Sequence, residues 1–201
     1  MNDLVTDEDR WRLSLYRLLG TLLASPPSDS FLLSLSGIEG DDSRLGLAIG
    51  TLKSLAQKMT GSDISREFNA LFIGVGRGEL FPYASYYLTG FLNEKPLARL
   101  RSDMRAIGAE RVATVSEPED GIASLADLMA GLIDGTFGRH SSLHDQNKVF
   151  SDHIEPWAEH FFSDLEVADS AVFYGPVGTI GKLFMNIERD AFRMLAPQKV
   201  G

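Results

Sequence analysis

The residues best suited to chemistry lie together in the second half of the chain. In SEPEDGIASLADLMAGLID, residues 116–134, the carboxylates Glu117, Glu119 and Asp120 surround Pro118, and all four histidines, His140, His144, His153 and His160, follow. A general acid–base pair needs two carboxylates in unlike surroundings, one kept protonated by an apolar pocket, and spacing alone does not supply that. His140 and His144, at i and i+4, could hold zinc from one helical face, but no HExxH accompanies them and Ser141-Ser142 reads as a helix start between them. GVGRG, residues 74–78, has the look of a phosphate cradle, yet Glu79 stands where a GxGxxG needs glycine, and neither a preceding strand nor a Lys-Ser/Thr pair is present. A helix C-cap followed by a loop is the simpler reading. The carboxylates have two non-catalytic readings. Ser116 precedes Glu119 by the spacing of a capping box, Pro118 is tolerated in a first helical turn, and anions are favoured at the positive end of the helix dipole. Alternatively they receive something positively charged.

The elements that must position these groups read as helices throughout. Thr6 or Asp7 can cap a first helix carrying Trp11, Leu15, Leu18 and Leu22 on one face and ended by Pro26-Pro27. A short helix over 28–36, the loop SGIEGDDS and a longer helix bearing Leu45, Leu52, Leu55 and Met59 follow. Ser62 or Asp63 caps the next, with Phe68, Leu71 and Phe72 as its stripe; Pro96 opens another with Leu97, Leu100, Met104 and Ile107, closed near Gly108. After SEPED, Ile122, Leu125, Ala126, Met129, Leu132 and Ile133 share an apolar face, while Asp120, Ser124, Asp127, Gly131 and Asp134 line the opposite one, either as a solvated surface or as a wall of a groove for a cation-bearing ligand. Two helices divided at Pro156 cover 142–166, and the last runs from Pro176 to Leu195. The expected fold is all-α, one helical domain over 1–201 or two lobes at about 1–110 and 116–201. Leu15, Leu18, Leu52, Phe68, Met129 and Phe184 are expected in its core.

Composition narrows the function classes. With 44% hydrophobic residues, 201 positions suffice for a buried core. The net charge of -9 opposes nucleic-acid binding, which calls for a basic stripe. Residues 116–170 hold twelve carboxylates against Arg139 and Lys148, a formal -10 that leaves +1 for the remainder. Such a block is a solvated face or a field for a basic partner. No apolar run approaches ~18 residues, and the acidic start MNDLVTDEDRW is unlike a signal peptide, so a cytoplasmic location without membrane insertion is expected. The absence of cysteine excludes disulfides, thiolate metal sites and cysteine nucleophiles.

A different signal lies in FNALFIGVGRGELFPYASYYLTGFL, residues 68–92, where aromatics and prolines crowd a glycine-rich loop. Tyrosine has an apolar body and a polar tip, which suits peptide-binding surfaces as well as cores. Three separated motifs now resemble the TorD/DmsD/NarJ family of redox-enzyme maturation chaperones: LFIG at 71–74 with PYASYYL at 82–88, SEPEDGIASL at 116–125, and HIEPWAEHFF at 153–162, in the family's order. The resemblance implies a helical bundle of the TorD/DmsD type with no catalytic activity, no cofactor and no metal. It implies binding of the twin-arginine signal peptide and apo form of a molybdoenzyme, of the dimethyl sulfoxide/trimethylamine N-oxide reductase or formate dehydrogenase kind, by a monomer or a domain-swapped dimer. Its site would include Phe68, Leu71, Phe72, Pro82, Tyr83, Tyr87, Glu117, Asp120 and Gly121, with His153, Pro156 and Trp157 in support. Gly121 departs from the pattern, in which histidine follows the aspartate. The competing reading is a small-ligand or metal-dependent hydrolase using the acidic, histidine-containing half.

Overall fold

The computed structural model describes residues 6–109, 117–138 and 141–195. Ten α-helices run in the order α1 Asp7–Ala24, α2 Asp29–Leu35, α3 Arg44–Lys58, α4 Gly61–Phe68, α5 Ala84–Thr89, α6 Lys95–Ala106, α7 Ile122–Asp134, α8 Leu143–His153, α9 Ala158–Val167 and α10 Tyr174–Leu195. Among the described residues the only extended pairing is an isolated antiparallel bridge between Tyr83 and Gly121. The all-α expectation holds.

Local signals set most boundaries. Thr6 caps α1 by accepting from the Asp9 N–H, with Asp7, Glu8 and Asp9 at the positive end of the helix dipole. Pro26 and Pro27 follow the end of α1. For α4 the cap is Thr60 rather than Ser62 or Asp63: Thr60 and Asp63 complete a capping box, because Asp63 at N3 reaches back to the Thr60 N–H. A π-helical turn, Asn69–Ile73, continues α4 and closes with the Gly74 N–H on the Asn69 carbonyl. Helix α10 starts two residues before Pro176, since a proline in the first turn forfeits no intrahelical bond.

One apolar cluster draws on all ten helices or their immediate flanks, and includes Leu15, Leu52, Phe68, Met129 and Phe184. Leu18 is only half-buried and Trp11 is 42% exposed, its ring edge-on to Phe184. Helix α1 lies along α7, and α10 along α9 and α3. The α9–α10 approach is close: a Cβ on Gly181 would stand 2.2 Å from the Phe162 ring. Polar ties cross the same core. Arg12 on α1 forks onto both carboxylate oxygens of Glu188 on α10 at 2.7 and 2.9 Å and also reaches Gln146 on α8. Glu67, buried at the end of α4, accepts from the backbone N–H groups of Val172, Phe173 and Tyr174 at 2.7–3.0 Å and so caps α10 from a distant element.

Two expectations for the acidic region are corrected. Helix α7 is capped at Gly121 and begins at Ile122, so Glu119 is not at its N3 position and the capping box is not made; Ser116 lies outside the described residues. The polar face of α7 is no open wall either. Helix α1 covers part of it, with Arg17 pairing Asp134 and Gly20 against the Asp127 carboxylate, while Phe137 closes over Gly131; Asp127 itself stays exposed. Among the described residues, half of the acidic block is also paired with cations, all but the Lys148 of Asp152 from outside it: Arg17 to Asp134, Arg101 to Glu119, Lys182 to Glu166, Arg189 to Glu159 and Arg193 to Glu155. Its sequence charge is therefore partly neutralised.

Candidate functional site

The three separated motifs converge on one cavity of about 170 Å³. Its walls are Ala84, Leu88 and Thr89 of α5, Asp120 and Leu125 at the head of α7, Asp152 and His153 of α8, and Lys95, Pro96, Arg99 and Leu100 of α6. The first two motifs are stitched together by backbone. The Ala84 N–H donates to the Asp120 carbonyl at 3.0 Å and the Ile122 N–H to the Pro82 carbonyl at 2.9 Å. Asp120, 1% exposed, then turns its side chain to α5 rather than to its own helix, its Oδ2 accepting from the Ser85 N–H at 2.8 Å. The position expected on a polar outer face is thus a buried cap for a neighbouring helix.

That arrangement leaves Asp120 Oδ1 without a hydrogen-bond partner, as is the adjacent Ser85 Oγ. Buried polar atoms are rarely left unpaired, so this carboxylate oxygen, beside a mostly apolar cavity whose walls also carry Lys95, Arg99, Asp152 and His153, has unused capacity to accept a donor. Glu119 points elsewhere, held by Arg101 through Nε and Nη2 at 2.7–3.1 Å.

Tyr83 lies over Gly121, where a Cβ would meet its ring at 3.3 Å. Partial burial, with the negative charges of Glu117 and Asp120 behind it, pushes the Tyr83 phenol up to about 12. Its hydroxyl stands 3.5 Å from the exposed Glu117. Tyr87 joins the third motif: its ring packs on Trp157 and Phe161, and its hydroxyl donates to Asp164 at 2.9 Å. Burial and then that bond raise its pKa strongly. Trp157 Nε1 donates to the His153 carbonyl at 2.7 Å, and His153 Nε2 meets Asp103 Oδ2 at 2.9 Å. Pro156 is exposed in the turn between α8 and α9.

Phe68, Leu71 and Phe72 do not join this cavity. Phe68 and Leu71 are buried, and Phe68 and Phe72 pack edge-on to each other and against Tyr174 at the start of α10. The structure therefore places this trio in the core. Sequence reasoning missed the α6 wall, although the cation–apolar alternation of KPLARLR was the available signal.

Asp103, Asp152 and His153 bring ligand atoms within 4.8 Å of one another. The set already contains its own cation: Lys148 Nζ lies 2.9 Å from Asp103 and 3.1 Å from Asp152. Burial opposes ionisation of Asp103, but the bonds from Lys148 and His153 outweigh it and hold its carboxyl below the usual range. These groups form a paired network, and His144 is exposed away from it; His140 lies outside the described residues. The hydrolase reading gains nothing from this arrangement.

Similarity to known proteins follows the same lines. The family model for the nitrate reductase delta subunit matches residues 38–163. The chaperone protein TorD of Vibrio cholerae is 27% identical over 134 residues, 63% of this chain and 61% of that one. TorD of Vibrio vulnificus is 24% identical over 136 residues, 64% of this chain and 63% of its own. The chain thus matches less than two thirds of the length of these relatives. A crystal structure from Archaeoglobus fulgidus, assigned as a redox enzyme maturation protein, superposes with a TM-score of 0.60 at 19% identity, covering 87% of this chain and 93% of the other, and supports the fold. With more than half of its length matched in one ordered stretch, the chain belongs to the nitrate reductase delta subunit family, the TorD/DmsD/NarJ group that its motifs resemble.

Proposed function

We propose that this chain is a maturation chaperone that holds the twin-arginine signal peptide of a molybdenum-containing oxidoreductase in the cytoplasm until cofactor insertion and folding are complete. The observation that carries the reading is the orphaned Asp120 Oδ1 in an apolar cavity where three separated motifs meet. A guanidinium is planar, permanently charged and rich in donors, which matches a buried carboxylate oxygen better than a water would. Asp152 on the cavity wall is shared with Lys148, and Tyr83, which packs over Gly121 and stands 3.5 Å from Glu117, lies beside Asp120 without lining the cavity. The client is a dimethyl sulfoxide or trimethylamine N-oxide reductase-like enzyme, or a formate dehydrogenase-like one. No helix among the described residues is long and apolar enough to cross a membrane. Calorimetric titration of the whole chain with a twin-arginine signal peptide and with a scrambled peptide of equal charge tests the proposal. Selective binding of the first is expected; equal binding, or none, sinks it.

A further inference from the structure

The loss of Phe68, Leu71 and Phe72 to the core leaves the apolar middle of such a peptide without its expected anchor. The turn between α5 and α6 offers one. Leu88, Phe91 and Leu92 are 43%, 70% and 42% exposed, three large apolar side chains within five positions. Single exposed apolar residues need no explanation, but a cluster on one rigid turn beside a cavity does.

The turn is built to hold its shape. Thr89 Oγ1 donates to the Ser85 carbonyl at 2.7 Å and accepts from the Phe91 N–H at 3.2 Å. Gly90 and Asn93 both take left-handed conformations, φ 81° and 60°, the second being the one non-glycine residue of positive φ among those described. The turn so held leaves Phe91 and Leu92 exposed. The surface is continuous with the cavity, because Leu88 and Thr89 belong to both. Charge orients what lies there. The α6 wall carries Lys95 and Arg99, which repel arginines, whereas Asp120, on the head of α7, offers an unpartnered carboxylate oxygen that attracts them.

Resting on the signal-peptide reading, we infer that Leu88, Phe91 and Leu92 are the landing surface for the apolar run that follows the peptide's arginines, so that the peptide lies with its basic end at Asp120 and its apolar middle over the α5–α6 turn. The occupant is the client peptide and not a second copy of this chain, since only the peptide joins an apolar run to the cationic end that the adjoining cavity requires.

The test compares the wild-type chain with a Phe91→Ser, Leu92→Ser double variant, each titrated with the whole signal peptide and with its basic end alone. Both positions are exposed, so the thermal midpoint should be unchanged. The variant should bind the whole peptide at least roughly tenfold more weakly, as expected for loss of an aromatic anchor, and should bind the basic end as the wild type does. Unchanged affinity for the whole peptide overturns the inference and leaves the signal-peptide reading standing. An equal loss for both peptides overturns the assigned orientation. Sedimentation that shifts from dimer to monomer with peptide affinity intact overturns it in favour of self-association. Failure of the wild type to bind either peptide overturns both readings.

Discussion

Removing the charge of Asp120 without removing its shape separates its two roles. In Asp120→Asn the amide oxygen can still accept from the Ser85 N–H, now 2.8 Å from Oδ2, while an NH2 group takes the place of the unpartnered Oδ1. The helix-capping bond falls from a charge-assisted one of ~1.5–3 kcal/mol to a neutral one of ~0.5–1.5 kcal/mol. Against that, relief of a desolvated, unpaired carboxylate oxygen returns ~1–3 kcal/mol. Net stability should stay within about 1 kcal/mol of wild type. Asp120→Ala removes the bond to Ser85 altogether and should melt lower by the ~0.5–2 kcal/mol of a lost helix cap. Binding should not follow stability. Both variants lose the charge-assisted contact to the arginine guanidinium, ~1.5–3 kcal/mol, or about ten- to more than a hundredfold in Kd. Thermal melts read the first quantity and calorimetry with a twin-arginine peptide the second. If Asp120→Asn binds the peptide like wild type, the carboxylate is a strut between α5 and α7 and the receptor argument is wrong.

Two further outcomes are expected. Gly121→Ala should raise stability by ~0.4–1 kcal/mol in a thermal or urea melt: the backbone there, φ -68° and ψ 143°, suits any residue, and the Tyr83 ring that a Cβ would touch is half-exposed and free to give. On the alkaline side, Tyr16, Tyr83, Tyr87 and Tyr174 all have raised phenol pKa values, with burial the leading cause in each. The unfolded chain loses these protons near pH 10 while the folded chain keeps them, so the stabilisation is complete below pH ~10 and falls as pH rises beyond it. Tyrosinate absorbance that develops only together with loss of helical circular dichroism checks this; smooth titration in the folded state would contradict it.

What could be read from sequence was what neighbouring residues decide. Thr6 capping α1, the break at Pro26-Pro27, Pro96 in the first turn of α6 and the division near Pro156 all depend on groups a few positions apart. The motif set also pointed correctly to one family. Errors arose where the partner is distant in the chain. Asp120 looked like part of the start of α7 because the local pattern allows it, but its hydrogen-bond partner is 35 residues away. Glu119 fitted a capping box and instead meets Arg101 across 18 residues. Periodicity placed Phe68, Leu71 and Phe72 on one stripe, yet it carries no information about what covers a stripe, and Tyr174 covers this one. The acid-rich block illustrates the same limit: its cations come largely from helices that the sequence pattern does not bring near it.

The cap that Glu67 places on α10 bears on how long the folded chain survives. Its bonds to Val172, Phe173 and Tyr174 join positions separated by 105–107 residues, so the loop they close takes in more than half of the 201-residue chain. Closing such a loop is costly in entropy, so it is expected to follow formation of the locally paired helices. Interactions made after the rate-limiting barrier leave the refolding rate nearly untouched and act instead by slowing escape from the native state. A carboxylate that looks like an ordinary helix cap is therefore expected to act as a kinetic latch: Glu67→Gln should speed unfolding more than it slows refolding in stopped-flow measurements, and an equal effect on both rates would refute this.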